Sequence, residues 1–308
     1  MKINTHLDAL FNPSSVAVIG ASKDERKAGG SFIKSLTSNG FKGSYYAVNP
    51  KETDIMGLKA YSSVLDIPGE VDLVVITIPA PAMPRVMAEC AKKRVKAAII
   101  FSAGFREAGA EGRELERLIL EAAREGDVRI IGPNCMGVYN PAKGLNTIAA
   151  HIDTPREGGN VSFIGQSGWA SENIIVAGSD RGLRLSKVVS CGNQADLSVT
   201  DYLLYLGDDP ETEFIGAYIE GLPNGKEFLT EAREVTARKP VVIWKAGSTG
   251  AGARAVASHT ASMAGTDALW DAAFNQAGII RATQFDELID FAAAFGCPYL
   301  PSGSRVGL

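Results

Sequence analysis

Ser15-Val16-Ala17-Val18-Ile19-Gly20 is a short β-branched run closed by a glycine, and runs of the same kind return along the chain with helical patterns between them. A run this short and apolar throughout suits a strand buried on both faces. The series continues with Ser44 to Lys51, Val71 to Pro79, Ala97 to Ser102 and Val128 to Gly132, with helical patterns at Ser31 to Ser38, Pro81 to Arg94 and Glu111 to Glu125. After a polar link at residues 151–160 it restarts with Asn160 to Gly165, Leu185 to Ser190, Thr212 to Glu220 and Pro240 to Lys245, and with helices from Ser198, Lys226 and Gly265. This alternation calls for an α/β fold with mainly parallel, doubly wound sheets and right-handed crossovers. Two domains are expected, 1–150 and 151–300, with 301–308 a linker or the start of a further domain. Ligands of such sheets lie beyond the carboxyl ends of the strands.

The first of these edges has the chemistry of a phosphate site. Gly20 leads into Ala21-Ser22-Lys23-Asp24-Glu25-Arg26-Lys27-Ala28-Gly29-Gly30 and then a helix, a turn whose backbone N–H groups can cradle an anion. The loop is longer than a compact G-x-G-x-x-G and carries Lys23, Arg26 and Lys27, which suits a phosphate-rich ligand; an ordinary exposed basic loop is the alternative. Asn49-Pro50-Lys51 stands where an NAD-binding fold needs a carboxylate for the ribose diol. Its absence counts against NAD. Lys51 suits a ribose that carries a phosphate, as in NADP or coenzyme A, or is a solvated loop residue. Thr77-Ile78-Pro79-Ala80, Ser102-Ala103-Gly104-Phe105 and Gly132 to Gly137 share that edge.

In the second half, Gln166-Ser167-Gly168 opens a helix, where a hydroxyl and free N–H donors make a second anion site, although a plain N-cap is the commoner role. Glu220 ends a strand of the same sheet, and His259 lies among small residues from Ala257 to Gly265. A carboxylate on one ring nitrogen would fix the imidazole tautomer and leave the other nitrogen nucleophilic. Read alone, this histidine is a surface or capping residue.

Composition narrows the field. A net charge of −4 without a basic block argues against nucleic acid. Cys90, Cys135, Cys191 and Cys297 form no CxxC or metal spacing, so no metal site is expected and a reducing cytoplasm fits. No apolar run approaches the ~20 residues of a membrane span, and the first residues lack a signal-peptide pattern.

Several segments, in this order, carry a resemblance: Val18 to Ser22, Val48 to Lys51, Ser102 to Phe105, Gly132 to Gly137, Gln166-Ser167-Gly168, Ser190 to Asn193 and Ser258-His259-Thr260. Together the chain resembles the nucleoside-diphosphate-forming acyl-CoA synthetases, the acetate–CoA ligase (ADP-forming) branch of the succinyl-CoA synthetase superfamily, over nearly its whole length. The resemblance implies a Rossmann-like CoA-binding domain followed by a flavodoxin-like domain that bears the phosphohistidine. His259 would be that histidine, Glu220 its supporting carboxylate, and Gln166, Ser167 and Gly168 the phosphate-binding helix start. Coenzyme A, a substrate here, would meet Gly20, Ala21, Ser22, Lys27, Lys51, Ile78, Pro79, Asn134 and Cys135. Phosphate and acyl-CoA would be the other ligands. Mg2+ and ADP or ATP would bind only on an ATP-grasp partner subunit or C-terminal segment, in an oligomeric assembly.

Two positions depart from the family pattern. Trp169 replaces a small residue and Ala261-Ser262 the usual Gly-Ala, changes expected to narrow the phosphate or acyl pocket. The competing readings are a CoA-sensing regulatory module, such as that of some protein acetyltransferases, and an NADP-dependent oxidoreductase. The retained Glu220 and His259 weigh against the first, and the second lacks a hydride-transfer constellation.

Overall fold

The computed structural model describes residues 2–148, 154–247, 267–296 and 303. Within them the chain forms two seven-stranded sheets. Helix α1 (Lys2–Phe11) leads into β1 (Ser15–Ile19), whose residues are all buried. Next come α2 (Ala28–Ser38), β2 (Ser44–Val48), β3 (Asp54–Ile55), β4 (Leu58–Tyr61), β5 (Leu73–Ile76), α3 (Met83–Lys93), β6 (Ala97–Ile100), α4 (Ala110–Glu125) and β7 (Arg129–Ile131). The strands order as β3-β4-β2-β1-β5-β6-β7, and every pair but β3–β4 is parallel. Without the β3 edge this is the order of a dinucleotide-binding fold.

The second sheet contains β8 (Gly137–Asn140), β9 (Leu145–Asn146), β10 (Val161–Gly165), β11 (Leu185–Ser190), β12 (Phe214–Ile219), β13 (Val241–Lys245) and β14 (Ile280–Ala282). Helices α5 (Gly168–Asp180), α6 (Val199–Asp208), α7 (Gly225–Thr236), α8 (Asp267–Ala277) and α9 (Phe285–Phe295) connect or flank them. The order is β14-β13-β12-β10-β11-β8-β9, and its parallel part, β11-β10-β12-β13-β14, has flavodoxin-like winding.

The helices follow from residue spacing. In α3 the buried residues are Met83, Met87 and Cys90, and in α4 they are Gly112, Glu116, Ile119 and Ala123, one stripe per helix at the helical period. The expected helix at Ser31 begins earlier, at Ala28, because Gly29 and Gly30 pack on the preceding loop; a Cβ on Gly29 would lie 2.1 Å from the Gly20 carbonyl oxygen.

Residues 137–146 were expected with the first domain, but they pair antiparallel along β11 and with each other at the rim of the second sheet. Buried Val138 and Tyr139 there cover an edge that would otherwise expose unpaired backbone groups. The exchange also runs the other way. The loop after β11 lies along β7 of the first sheet: Leu197 N donates to Ile130 O (3.3 Å), Ala195 N to Gly132 O (2.9 Å) and Asn193 N to Pro133 O (2.9 Å). Gly192 has φ +53°, and a Cβ there would meet the Pro133 carbonyl oxygen at 2.4 Å. Asp196 takes Arg129 in a two-pronged ion pair (2.8 and 3.0 Å) and also accepts from Ile130 N (2.8 Å). Beneath this seam one hydrophobic core contains Val16, Val75 and Ile99 from the first sheet and Ile164, Val189 and Ile215 from the second. Phe11 stacks on Tyr205 with ring centroids 5.1 Å apart.

Asp196→Ala strips a guanidinium and a backbone N–H of their acceptor, and it is expected to cost about 2 to 3 kcal/mol in denaturant unfolding. Arg85→Ala, which removes an exposed helix-surface pair with Glu89, is expected to change nothing measurable.

Candidate functional site

Each sheet reverses its winding direction once, and the two reversals frame the site. In the first sheet it falls between β1 and β5. Gly20 there has φ +91°, a conformation side chains rarely adopt, and a Cβ would meet Thr77 Oγ1 at 2.6 Å. The Thr77 hydroxyl lies 3.2 Å from both the Ile19 and the Gly20 carbonyl oxygens. Asn49, where a carboxylate would mark an NAD site, instead donates to the Ala21 carbonyl oxygen (2.8 Å) and ties the end of β2 to the loop.

The basic loop is less positive than its sequence suggests. Lys23 pairs with Glu52 at 2.6 Å, and Arg26 is held by Asp24 through two contacts of 2.9 and 3.0 Å. Lys27 and Lys51 are exposed and make no ion pair among the described residues, so they are the cations open to an anionic ligand.

In the second sheet the reversal lies between β10 and β12, where Gln166 and Glu220 stand. Gln166 is buried, and its Oε1 accepts from the backbone N–H groups of Glu220 and of Gly221, the latter at 3.0 Å. Its Nε2 group is thereby left as the end that can donate to a ligand. Ser167 sits at the N-cap position of α5 with no side-chain cap bond, so its hydroxyl is not used up in capping. A Cβ on Gly168 would lie 2.7 Å from Met136 Sδ, so the helix start packs closely against the segment before β8.

Glu220 is 4% exposed. Burial, reinforced by this carboxylate, pushes the neighbouring Tyr218 phenol up to about 12. Lys245 at the end of β13 is also buried, 5.0 Å above the Trp270 ring. Burial lowers its pKa against the opposing pull of Glu220.

A cleft of about 690 Å³ opens between the sheets. Pro79, Asn134, Cys135, Gln166, Ser167 and Gly168, all expected at a site, line it, together with Ser102, Ala103, Trp169 and Asn193. Gly20, Ala21, Ser22, Lys27, Lys51, Ile78 and Glu220 stand outside the lining, and Glu220 is tied to the lining residue Gln166 through its backbone N–H. The Cys135 thiol turns inward, 3.5 Å from the Ile100 and Ile131 carbonyl oxygens, and burial raises its pKa to about 12; only its backbone is offered to a ligand. Trp169 remains 57% exposed and leans on Phe285, ring centroids 5.3 Å apart. His259 and Ala261-Ser262 lie outside the described residues. Tyr218 and Lys245 carry no motif in the sequence; the only signal is a polar residue at or next to the end of an otherwise apolar strand. Among the described residues no helix is long and apolar enough to cross a membrane, and no group of three or more His, Cys, Asp or Glu is placed to hold a metal ion.

Comparison with known proteins bears on both halves. Residues 14–141 match a family described as a CoA binding domain, and residues 158–295 one described as a succinyl-CoA ligase like flavodoxin domain. The chain is 43% identical over 302 residues to the acetate–CoA ligase [ADP-forming] II subunit alpha of Pyrococcus furiosus, covering 98% of itself and 65% of that subunit. It is 44% identical over 296 residues to the acetate–CoA ligase [ADP-forming] of Methanocaldococcus jannaschii, covering 96% of itself and 41% of that protein. A solved dinucleotide forming acetyl-coenzyme A synthetase 1 of Ca. Korarchaeum cryptofilum, in complex with phosphate and ADP, superposes with a TM-score of 0.89 at 39% identity, over 96% of this chain and 64% of that one. The chain thus spans between two fifths and two thirds of these relatives.

Gln166→Ala leaves two buried N–H groups without an acceptor, and a loss of about 2 kcal/mol is expected in denaturant unfolding, whereas Gln166→Glu keeps the acceptor and most of the stability. Lys245 gives a pH signature. Its folded pKa lies below the ordinary 10.5, so the unfolded chain binds the proton more tightly and stability rises with pH from the lowered pKa up to the ordinary value. The stability gained by Lys245→Met over the parent is expected to be largest near about pH 7 and to fade toward about pH 10; a gap independent of pH in parallel denaturation curves would contradict this.

Proposed function

Since the chain belongs to the nucleoside-diphosphate-forming acyl-CoA synthetases of the succinyl-CoA synthetase superfamily, we propose that it is the CoA-binding and phosphohistidine-bearing part of an acid–CoA ligase. The reaction interconverts acyl-CoA, phosphate and a nucleoside diphosphate with a carboxylate, CoA and a nucleoside triphosphate. The observation that carries this reading is that Thr77 at one sheet reversal and Gln166 at the other line a single cleft.

Lys27, Lys51 and the Gly20-Ala21-Ser22 turn hold the phosphates of CoA at the rim, and Ile78, Pro79, Asn134 and the Cys135 backbone border its path inward. Phosphate lies at the start of α5, against Ser167 Oγ, the Gln166 Nε2 group and the first N–H groups of the helix. An oxygen of phosphate attacks the thioester carbonyl, the C–S bond breaks and the CoA thiolate leaves. His259 then attacks phosphorus, the carboxylate departs, and Glu220 balances the charge of the phosphorylated ring. A phosphorylated imidazole keeps a high transfer potential, so the group can pass on to ADP. That nucleotide and its Mg2+ belong to an ATP-grasp subunit or segment that completes an oligomeric enzyme. The free, buried thiols of Cys90, Cys135 and Cys191 fit a cytoplasmic setting.

With that partner supplied, acetyl-CoA and phosphate are expected to place one phosphoryl group on His259, read by mass spectrometry, and His259→Asn is expected to abolish both the label and turnover. A histidine unmodified under all these conditions overturns the assignment. Lys51→Ala is expected to weaken CoA binding about fivefold at low salt, less at high salt, by titration calorimetry.

A further inference from the structure

A second side-chain contact joins the two units, and one of its ends, Asn193, lines the cleft. Glu107, in the turn Arg106–Ala108 just past the Ser102 to Phe105 loop, accepts on Oε1 from Gly104 N (2.7 Å) and Phe105 N (3.1 Å). Its Oε2 accepts from Asn193 Nδ2 at 2.5 Å, in the loop after β11 of the other sheet. Burial opposes ionisation of Glu107, but these hydrogen bonds outweigh it and bring its pKa below the ordinary 4.5. Asn193 is itself 6% exposed, and its backbone is pinned to Pro133 O. Glu116, on the buried stripe of α4, has a carboxyl oxygen without a hydrogen-bond partner among the described residues, and burial raises its pKa.

A carboxylate can meet an amide side chain only through its NH2 group. With that group turned to Glu107, the Asn193 carbonyl oxygen is the atom left to meet a ligand, and it can only accept a hydrogen bond. A bare phosphate gains nothing there. A ligand N–H does, and between its nucleotide and its thiol CoA carries two amide N–H groups on the pantetheine arm. We propose that Glu107 fixes the Asn193 amide so that its Oδ1 accepts a pantetheine N–H and places the thioester opposite the phosphate at the start of α5. This rests on reading the cleft as the CoA site. Asn193 is the contacting residue, and Glu107 is a positioning residue that acts through it.

The test titrates CoA and adenosine 3′,5′-bisphosphate, which lacks the pantetheine arm, into the full chain and its variants, with thermal melts to confirm folding. Asn193→Ala is expected to weaken CoA about tenfold, the loss of one hydrogen bond, and to leave the bisphosphate unchanged. Asn193→Asp sets two carboxylates against each other and is expected to lose CoA binding. Adding Glu107→Gln to it reverses the donor and acceptor of the pair while keeping an oxygen toward the cleft, and it is expected to restore CoA affinity to within about threefold of the parent. Folded variants in which the double substitution gives no rescue, or in which both ligands weaken alike, overturn the proposal. Failure of the parent to bind either ligand would instead remove the CoA reading beneath it.

Discussion

The hydrogen-bonded seam between residues 193–197 and 130–133 is the constraint on which the site depends. Two α/β units joined only by a flexible link would hinge, and a cleft between them would vary in width. Here a loop of one unit runs along the edge strand of the other, closed by the Arg129–Asp196 pair and backed by a core common to both sheets. Moving the walls apart would break backbone hydrogen bonds and expose apolar surface together, at a cost of several kcal/mol. Chemistry that joins a thioester to an inorganic anion gains from such rigidity, because reacting groups misplaced by an ångström lose much of their rate.

Much of the fold was legible because strands buried on both faces must be apolar along their whole length. Runs such as Ser15 to Ile19 and Val161 to Gly165 announce themselves, and the helices between them fix the winding. Residues 137–146 did not announce their sheet. They are short, follow the first unit in sequence and pair antiparallel, so nothing local told which edge they would cover.

The site was legible by position and less so by role. Gln166-Ser167-Gly168 stands at the end of β10, yet the glutamine oxygen is engaged by Glu220 and Gly221, more than 50 residues away in sequence. Lys23 and Arg26 have the charge of phosphate ligands in the sequence, but in the structure each is paired with a carboxylate. Glu107 and Asn193 are 86 residues apart, and neither carries a mark of the other. Patterns of spacing report which backbone a residue stands on; which of its atoms are already spoken for is a property of the tertiary structure.

The exchange of segments between the sheets also limits how a gene for such a protein can be rearranged. A break at the link near residues 154–160 would leave β8 and β9 with the first half and strip the edge of β11, and it would leave the 193–197 loop without the strand it lies along. Each half would then carry an open sheet edge prone to pairing with other chains. In this chain, then, each unit closes a sheet edge of the other, and neither has a complete edge without its neighbour.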